Sequence, residues 1–413
     1  MNAEVHHYQA AMEASPTRDL AHDGNPTRFI PFELTFEILS RLPAKPLIRF
    51  QSVSKLWFSI IRSKDFADSF LIRSKTRPRL LFSFQHFDSR QRFIFSAPEH
   101  HNNNNDEEEE KSSSTVIARH DMTISDLVYD INTRPVNGLV CCTRKLDSSS
   151  SSIAVCNPTT RQILKLPDVT PNGRDMYARL GYDPVEDQYK VLCVMMFDGF
   201  DSRRADNIEQ EHFVFTLGSQ QQEWRKVEIV QGDPYTSFKG GICINGAIYY
   251  VVLHKKIARF DVRSEKMEFI KAPEDEEDLE INAFCWTLIN HKGRLGGINY
   301  RYFYHMRAWI QEEEESWNNM TGVVTSEWGD LLREISLYST GEIHTGEVLL
   351  VPYRLESSKP FSVFYYDMIR ESFRSGQVLG IADYEFRRRF HGFGKRNRGM
   401  RCFPGHIENI MFF

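Results

Sequence analysis

Ile30-Pro31-Phe32-Glu33-Leu34-Thr35-Phe36-Glu37-Ile38-Leu39-Ser40-Arg41-Leu42-Pro43-Ala44-Lys45-Pro46-Leu47-Ile48-Arg49-Phe50, running on to Val53-Ser54-Lys55-Leu56-Trp57, is the stretch from which the rest of the chain is best read. Pro31 suits the first turn of a helix, where its missing N–H costs nothing. Leu34, Ile38 and Leu42 recur at four-residue steps with Leu39 beside them, which puts an apolar stripe on one helix face. Glu33 and Glu37 favour the N-terminal end and Arg41 the C-terminal end, matching the helix dipole. Pro43 and Pro46 then break the helix, because a residue before proline is pushed out of the α region. A second short helix is expected to carry Leu47 and Phe50, and a third Leu56, Trp57, Ile60 and Ile61. Helices this short bury too little surface to be strongly stable alone.

The same residues, with the proline punctuation and the Val53-to-Trp57 ending, resemble an F-box, the helical module through which substrate receptors join SCF-type cullin-RING ubiquitin ligases. The plainer alternative is an N-terminal bundle that merely packs on the rest of the chain. The resemblance implies a Skp-family adaptor as partner and, through it, cullin and RING subunits. It implies an adaptor-facing surface and its support made from Pro31, Leu34, Ile38, Leu39, Leu42, Leu47, Phe50, Val53 and Trp57.

Composition narrows the remaining possibilities. With 413 residues and 41% hydrophobic content there is material for a large core beside the small module. A net charge of −5 gives no reason to expect nucleic acid as a partner. No apolar stretch approaches the roughly 20 residues of a membrane helix, so no membrane is expected. Met1 to Thr27 mixes His6, His7, Glu13 and Arg18 without an apolar core, and reads as a disordered leader. The seven cysteines are scattered and include no C-x-x-C pair, which favours reduced, mostly buried thiols in a cytoplasmic and/or nuclear protein. Asn319-Met320-Thr321 fits a glycosylation acceptor but has no secretory route to give it meaning.

After residue 75 the helical period gives way to strand-like runs. Arg79 to Phe84 and Arg92 to Ser96 form an expected first pair, followed by a low-complexity loop over 100–115. Ser148 to Ser152 and Glu312 to Glu315 read as further loops. Recurring units then appear: Gly138 to Pro167, Leu180 to Val227, and Gly241 to Ile270, with later units near Leu288 and near Gly346. Asn245-Gly246 between β-rich runs signals a hairpin with a type I′ turn. Hairpin-linked units at spacings of about 40–50 residues suggest a β-propeller of about six blades.

These units also resemble the plant F-box-associated domain of type 3. The residues that carry the resemblance are Asn157-Pro158-Thr159-Thr160-Arg161-Gln162, Gly181-Tyr182-Asp183-Pro184 with Tyr189-Lys190-Val191, Asn245 to Tyr250, and Phe260-Asp261-Val262. The expected fold is therefore multidomain α plus all-β: leader 1–27, a three-helix F-box over 28–74, and a propeller-like substrate-recognition domain over 75–413. His406 to Phe413 reads as a last strand that could complete the first blade and close the ring.

Chemistry is sparse. The chain has no phosphate loop, no G-x-S-x-G elbow and no H-E-x-x-H, so no catalytic constellation, metal site or cofactor is expected. His254, His291 and His305 read as ordinary satisfied histidines, and the adjacent Cys141 and Cys142 must face opposite sides of a strand. Receptor subunits act by proximity and need no such site. The expected function is that of a non-catalytic substrate receptor. Two other classes compete with it: a scaffold using the same adaptor contact, and an enzyme on a propeller, which would need acidic, His and Arg side chains converging at the ring centre. Recognition of a protein substrate is expected on loops rich in Tyr and Arg: Tyr302 and Tyr304 in one, and Arg387, Arg388 and Arg389 in the basic run 386–401. A solvated loop is the plain reading of that basic run, and an ordinary strand that of the tyrosines.

Overall fold

A computed structural model describes residues 30–413 apart from 86–90, 100–113, 126–129, 146–150, 171–174, 198–209, 229–239, 253–255, 274–285, 303–304, 314–315, 324–334, 336, 356–360 and 382–398. The chain divides into two compact units, Met1–Arg41 and Leu42–Phe413. The expected leader 1–27 and most of the expected loop 100–115 lie outside the described residues, while Ser114 and Thr115 open a strand.

In the first unit, helix α1 (Phe32–Ser40) follows Pro31, which stands at its N-cap with extended ψ rather than inside the first turn. Glu33 occupies the first turn, and Glu37 pairs with Arg41 one turn on, at 2.8 Å. In the second unit, α2 (Ala44–Phe50) starts after Pro43. Pro46 sits within its first turn, where an absent N–H is tolerated, so it does not break the chain. Helix α3 (Lys55–Arg62) is capped by the Ser54 side chain, which accepts from the Trp57 N–H at 3.1 Å.

A fourth helix, α4 (Lys64–Lys75), replaces the end of the module expected to have three. Ser63 makes it: the residue is extended, and its hydroxyl accepts from the Phe66 N–H at 3.3 Å, ending one helix and capping the next. Phe66, Phe70 and Ser74 then share the buried face.

From Arg79 onward the chain forms a six-bladed propeller. Blade 1 holds β1 (Arg79–Gln85), β2 (Arg92–Pro98), β4 (Arg119–Ile124) and β24 (Arg401–His406). Among the described residues, blade 2 comprises β5 (Val140–Lys145), β6 (Ser151–Asn157) and β7 (Gln162–Lys165). Blade 3 runs β8 (Asp175–Asp183), β9 (Gln188–Met196), β10 (Gln210–Thr216) and β11 (Arg225–Val227). Blade 4 is β12 (Ile242–Ile244), β13 (Ala247–Val252), β14 (Lys256–Asp261) and β15 (Met267–Lys271). Blade 5 is β16 (Trp286–His291), β17 (Arg294–Tyr302), β18 (His305–Glu313) and β19 (Ser316–Val323). Blade 6 is β20 (Leu337–Glu342), β21 (Val348–Pro352), β22 (Ser362–Asp367) and β23 (Ser372–Leu379), with β3 (Ser114–Ile117) added in parallel to its outer edge. The unit expected near Gly346 thus begins earlier, at Leu337, in a stretch whose Ser339, Thr340 and Gly341 hide the strand pattern. Glu312 and Glu313, expected in a loop, belong to β18.

Apolar residues fall into one cluster between each adjacent pair of blades. Leu81, Ile94 and Met122 meet Val140, Cys142 and Cys156. Cys141 and Val155 meet Leu180, Val191 and Cys193. Leu192 and Val194 meet Ile248, Tyr250 and Phe260. Ile242 and Val251 meet Trp286 and Trp309, whose rings stack at 4.9 Å. Ile289 and Ile298 meet Leu350 and Tyr366. Phe82, Phe84 and Phe95 meet Leu349, Val351 and Tyr365. Successive residues of one strand therefore feed opposite interfaces, which is why Val191-Leu192-Cys193-Val194 reads as an unbroken apolar run. The adjacent Cys141 and Cys142 divide in the same way.

Turn chemistry agrees with the residues supplied. Asn245 and Gly246 have φ of 47° and 84°, the two positive values a type I′ turn requires, and Ile244 pairs with Ala247 across it.

The ring closes through Arg401–His406, not through His406–Phe413. Strand β24 pairs antiparallel with β1, from Ser83 opposite Arg401 to Arg79 opposite His406, with a register shift between. Pro404 and Gly405 disguise this strand as a turn. Behind the closure, the buried Glu99 carboxylate accepts from the Gly405 N–H at 2.7 Å and from His344 Nδ1 at 2.6 Å. The second tie is β3, whose following residue Ala118 donates its N–H to the Leu379 carbonyl at 2.8 Å.

Burial pushes His406 down to about 3, assisted by Arg79 and Arg119, and pushes His212 down to about 3, assisted by Arg179. Below pH 6.5 the unfolded chain takes up protons that these folded histidines refuse, so the stability they contribute is lost as pH falls toward 3. Urea denaturation at pH 7.5 and 5.5 should show a loss of about 2–3 kcal/mol from the pair, and His406→Gln should remove about half of that slope. An unchanged slope in the variant would show that His406 is not held neutral.

Candidate functional site

The helical residues singled out above separate by exposure. In the first unit Pro31, Leu34 and Ile38 are exposed, Leu34 by 55% and Ile38 by 49%, whereas Leu39 is buried. In the second unit Val53 is 59% exposed, Leu42, Phe50 and Trp57 are half-buried, and Leu47 is buried. Phe50 and Trp57 brace each other with ring centres 5.2 Å apart. Leu39 and Leu47 can serve only as support. Ile30 and Phe32 in the first unit, and Leu56 and Phe58 in the second, are also exposed and were not singled out. The signal that could have found them is their hydrophobicity at positions beside the stripe, on short helices that have a second face to cover. Each unit thus exposes several large apolar side chains.

On the propeller, Tyr302 ends β17. Tyr304, Arg387, Arg388 and Arg389 lie outside the described residues.

At the ring centre, residues 130–136 cross between inner strands. The Asp130 and Thr143 backbones pair on blade 2, and Asp130 also accepts from Arg92 at 3.2 Å. The Arg134 N–H donates to the Gly241 carbonyl at 3.4 Å, and its guanidinium to the Thr340 carbonyl at 2.6 Å. Burial holds the Arg134 side chain below the usual guanidinium range, at about 10. Gly341, with φ of 122°, leaves the space that this guanidinium fills. Arg179, 1% exposed, donates from Nε to the Gly240 carbonyl at 2.9 Å and lies 3.9 Å over the Tyr250 ring. A cavity of about 20 Å³ beside Thr133, Tyr177 and Arg179 has room for about one water molecule. What converges here is a pair of arginines engaged with carbonyl oxygens: Arg134, on a crossing segment that joins blades 2, 4 and 6, and Arg179 of blade 3, which reaches Gly240 just before blade 4.

Other polar clusters also brace blades. His291 Nδ1 meets Glu342 at 2.9 Å between blades 5 and 6, an ordinary satisfied histidine; His254 and the His305 side chain lie outside the described residues. The Asp183 carboxyl is held below its usual range by Arg263, which reaches it at 3.0 and 3.1 Å, and by the Val185 N–H. Glu265 accepts from Lys190 at 2.8 Å and from Arg225 at 2.7 Å, joining blades 3 and 4 again. The Cys142 and Cys156 sulfurs lie 3.4 Å apart, but the hydrogen bond with Cys142, then burial, raises Cys156 well above the usual thiol range, which leaves it a poor nucleophile. Among the described residues no group of three or more His, Cys, Asp or Glu side chains is placed to hold a metal.

The Asn157-to-Gln162 motif has a different task from binding. Asn157, fully buried, accepts the Thr159 N–H at 3.0 Å, which shapes the β6–β7 turn. Its amide donates to the Asn409 and Met411 carbonyls, each at 2.9 Å. A removed partner strands the buried Asn409 carbonyl and the half-buried Met411 carbonyl, so Asn157→Ala should lower unfolding stability by about 1–3 kcal/mol and speed amide exchange over 407–413. Parent-like exchange there would show that the motif does not hold this segment.

Comparison with known proteins follows the same division. Residues 30–68 match the F-box domain, and residues 79–407 match the F-box associated beta propeller domain. F-box protein At1g30790 of Arabidopsis thaliana is 36% identical over 93% of this chain and 98% of its own length. F-box protein DOR of the same plant is 34% identical over 86% of this chain and 89% of its own length. The match spans both the helices and the propeller.

Proposed function

From the premise that the chain belongs to the F-box proteins that carry an F-box-associated β-propeller, we propose that it is a non-catalytic substrate receptor of an SCF-type ubiquitin ligase. The observation that carries this reading is the exposure of Leu34, Ile38 and Val53 within the segment that matches the F-box. Large apolar side chains left in water on two short helical stretches need a partner, and a Skp-family adaptor fits their chemistry. Cullin and RING subunits would follow through that adaptor. The receptor would then hold its substrate near a charged conjugating enzyme and raise the effective concentration of the acceptor lysine. A protein substrate would dock on propeller loops, for which Tyr302, Tyr304 and Arg387 to Arg389 remain the proposed residues. The buried, unpaired thiols Cys141, Cys142, Cys193 and Cys402 support operation in a reducing compartment, the cytoplasm, the nucleus or both.

Replacing Pro31 and Leu34 together with Ala should cost about 2 kcal/mol or more of adaptor binding, about 30-fold in affinity, while the propeller melts as in the parent. Undiminished capture of a purified Skp-family adaptor would overturn the assignment. Co-purification of a cullin separates a ligase receptor from a scaffold that uses the same adaptor contact. For the substrate face, changing Arg387, Arg388 and Arg389 to Glu should leave adaptor capture intact and remove partners that accumulate when ligase activity is blocked. An unchanged captured set would place recognition elsewhere on the propeller.

A further inference from the structure

Helices α2 to α4 are joined covalently to the propeller only through residues 76–78, between the end of α4 and the start of β1. By itself a three-residue link leaves the orientation of the helices on the propeller to the contacts made between them. Helix α4 has 12 residues. At about 1.5 Å per residue it is a lever of about 18 Å, so a rotation of about 20° moves its far end by about 6 Å. The segment 407–413 supplies a second attachment.

One side of this segment is fixed to blade 2. Beyond the two Asn157 bonds, the Asn409 amide donates to the Asn137 carbonyl at 2.7 Å, and the Asn409 N–H to Thr159 Oγ1 at 3.2 Å. The Phe413 N–H donates to Gln162 Oε1 at 3.1 Å. Gly138 has φ of 83°, and a Cβ there would lie 2.4 Å from the Ile407 carbonyl oxygen, so only glycine admits the segment this closely. Ile407, Asn409 and Ile410 are buried.

Its other side reaches the helices. Glu408 accepts the Ala44 N–H at 3.4 Å and forms an ion pair with Arg119 of blade 1 at 2.6 Å. The Arg62 guanidinium, at the end of α3, lies 3.7 Å over the Phe412 ring. An ion pair between Lys64 and Asp187 adds a contact to blade 3, but both side chains are exposed and it can hold little by itself.

We propose that 407–413 is a strap that fixes helices α2 to α4 on the propeller, with Glu408 and Phe412 as positioning residues for transfer to a bound substrate. The inference about transfer rests on the receptor reading above; the strap itself does not. A rigid spacing keeps the substrate within reach of the conjugating enzyme, whereas hinge freedom spreads the same chain over positions where no transfer occurs.

Spin labels on cysteines introduced as Lys55→Cys in α3 and Ile369→Cys in the exposed turn after β22 measure the spacing directly in the full chain bound to a purified Skp-family adaptor. The parent should give one narrow distance distribution. Phe412→Ala and Glu408→Gln should each broaden it or shift its mean by several ångströms, on the order of the 6 Å that a rotation of about 20° gives at the far end of α4. Phe412→Tyr should restore it, and the melting temperature of the propeller should stay near the parent's. Parent-like distributions in both variants would overturn the strap. If Glu408→Gln fails to fold, Phe412→Ala alone decides. Absence of adaptor capture by the parent would instead overturn the receptor reading, and the same distances measured without adaptor would still decide the strap.

Discussion

Both faces of every blade are buried, so the pairing of β24 with β1 is the contact on which the other blade interfaces depend. An open sheet array would leave two blade faces, and the clusters around Phe82 and Leu349, in water. The fold therefore brings residues distant in sequence into one sheet and guards the junction. Glu99 holds Gly405 and His344, and β3 crosses from the first blade to lie along β23 of the last. Closure pairs strands separated by most of the chain, a connection whose entropy cost only the completed set of interfaces offsets.

Several polar residues brace the ring away from its strand pairing. Asn157 shapes its own turn and then holds the segment after β24. Asp183 reaches Arg263 across the blade 3–4 interface, and Arg134 joins inner strands through the ring centre. Buried polar groups must find partners, and in a ring those partners lie on the neighbouring blade or on the crossing segment. Such residues pattern like a site without being one.

The fold was legible where local chemistry is decisive. Asn245-Gly246 requires its turn, and the apolar runs Val191 to Val194 and Leu349 to Val351, set between turn signals, read as strands. It was illegible where local signals conflict with tertiary use. Arg401–His406 carries Pro404 and Gly405 yet closes the ring, and Ser63 splits what reads as one helical ending into two helices. In the candidate adaptor face, the apolar period located Leu34 and Ile38, and the resemblance to an F-box located Val53. It could not separate them from Leu39 and Leu47, because a short helix has apolar residues on both its covered and its open sides.

The sequence by itself determined the division into a helical module and a β-rich repeat, the family to which both belong, and the turns that asparagine and glycine impose. The division and the turns follow from periodicity and backbone sterics, which act within a few residues, while the family follows from the motifs that resemble it. Only the tertiary structure decided which strand completes blade 1, which helical side chains remain in water, and that the segment after β24 joins the helices to blade 2. Each of these depends on what another part of the chain, far away in sequence, already covers, and burial of that kind is a property of the assembled ring.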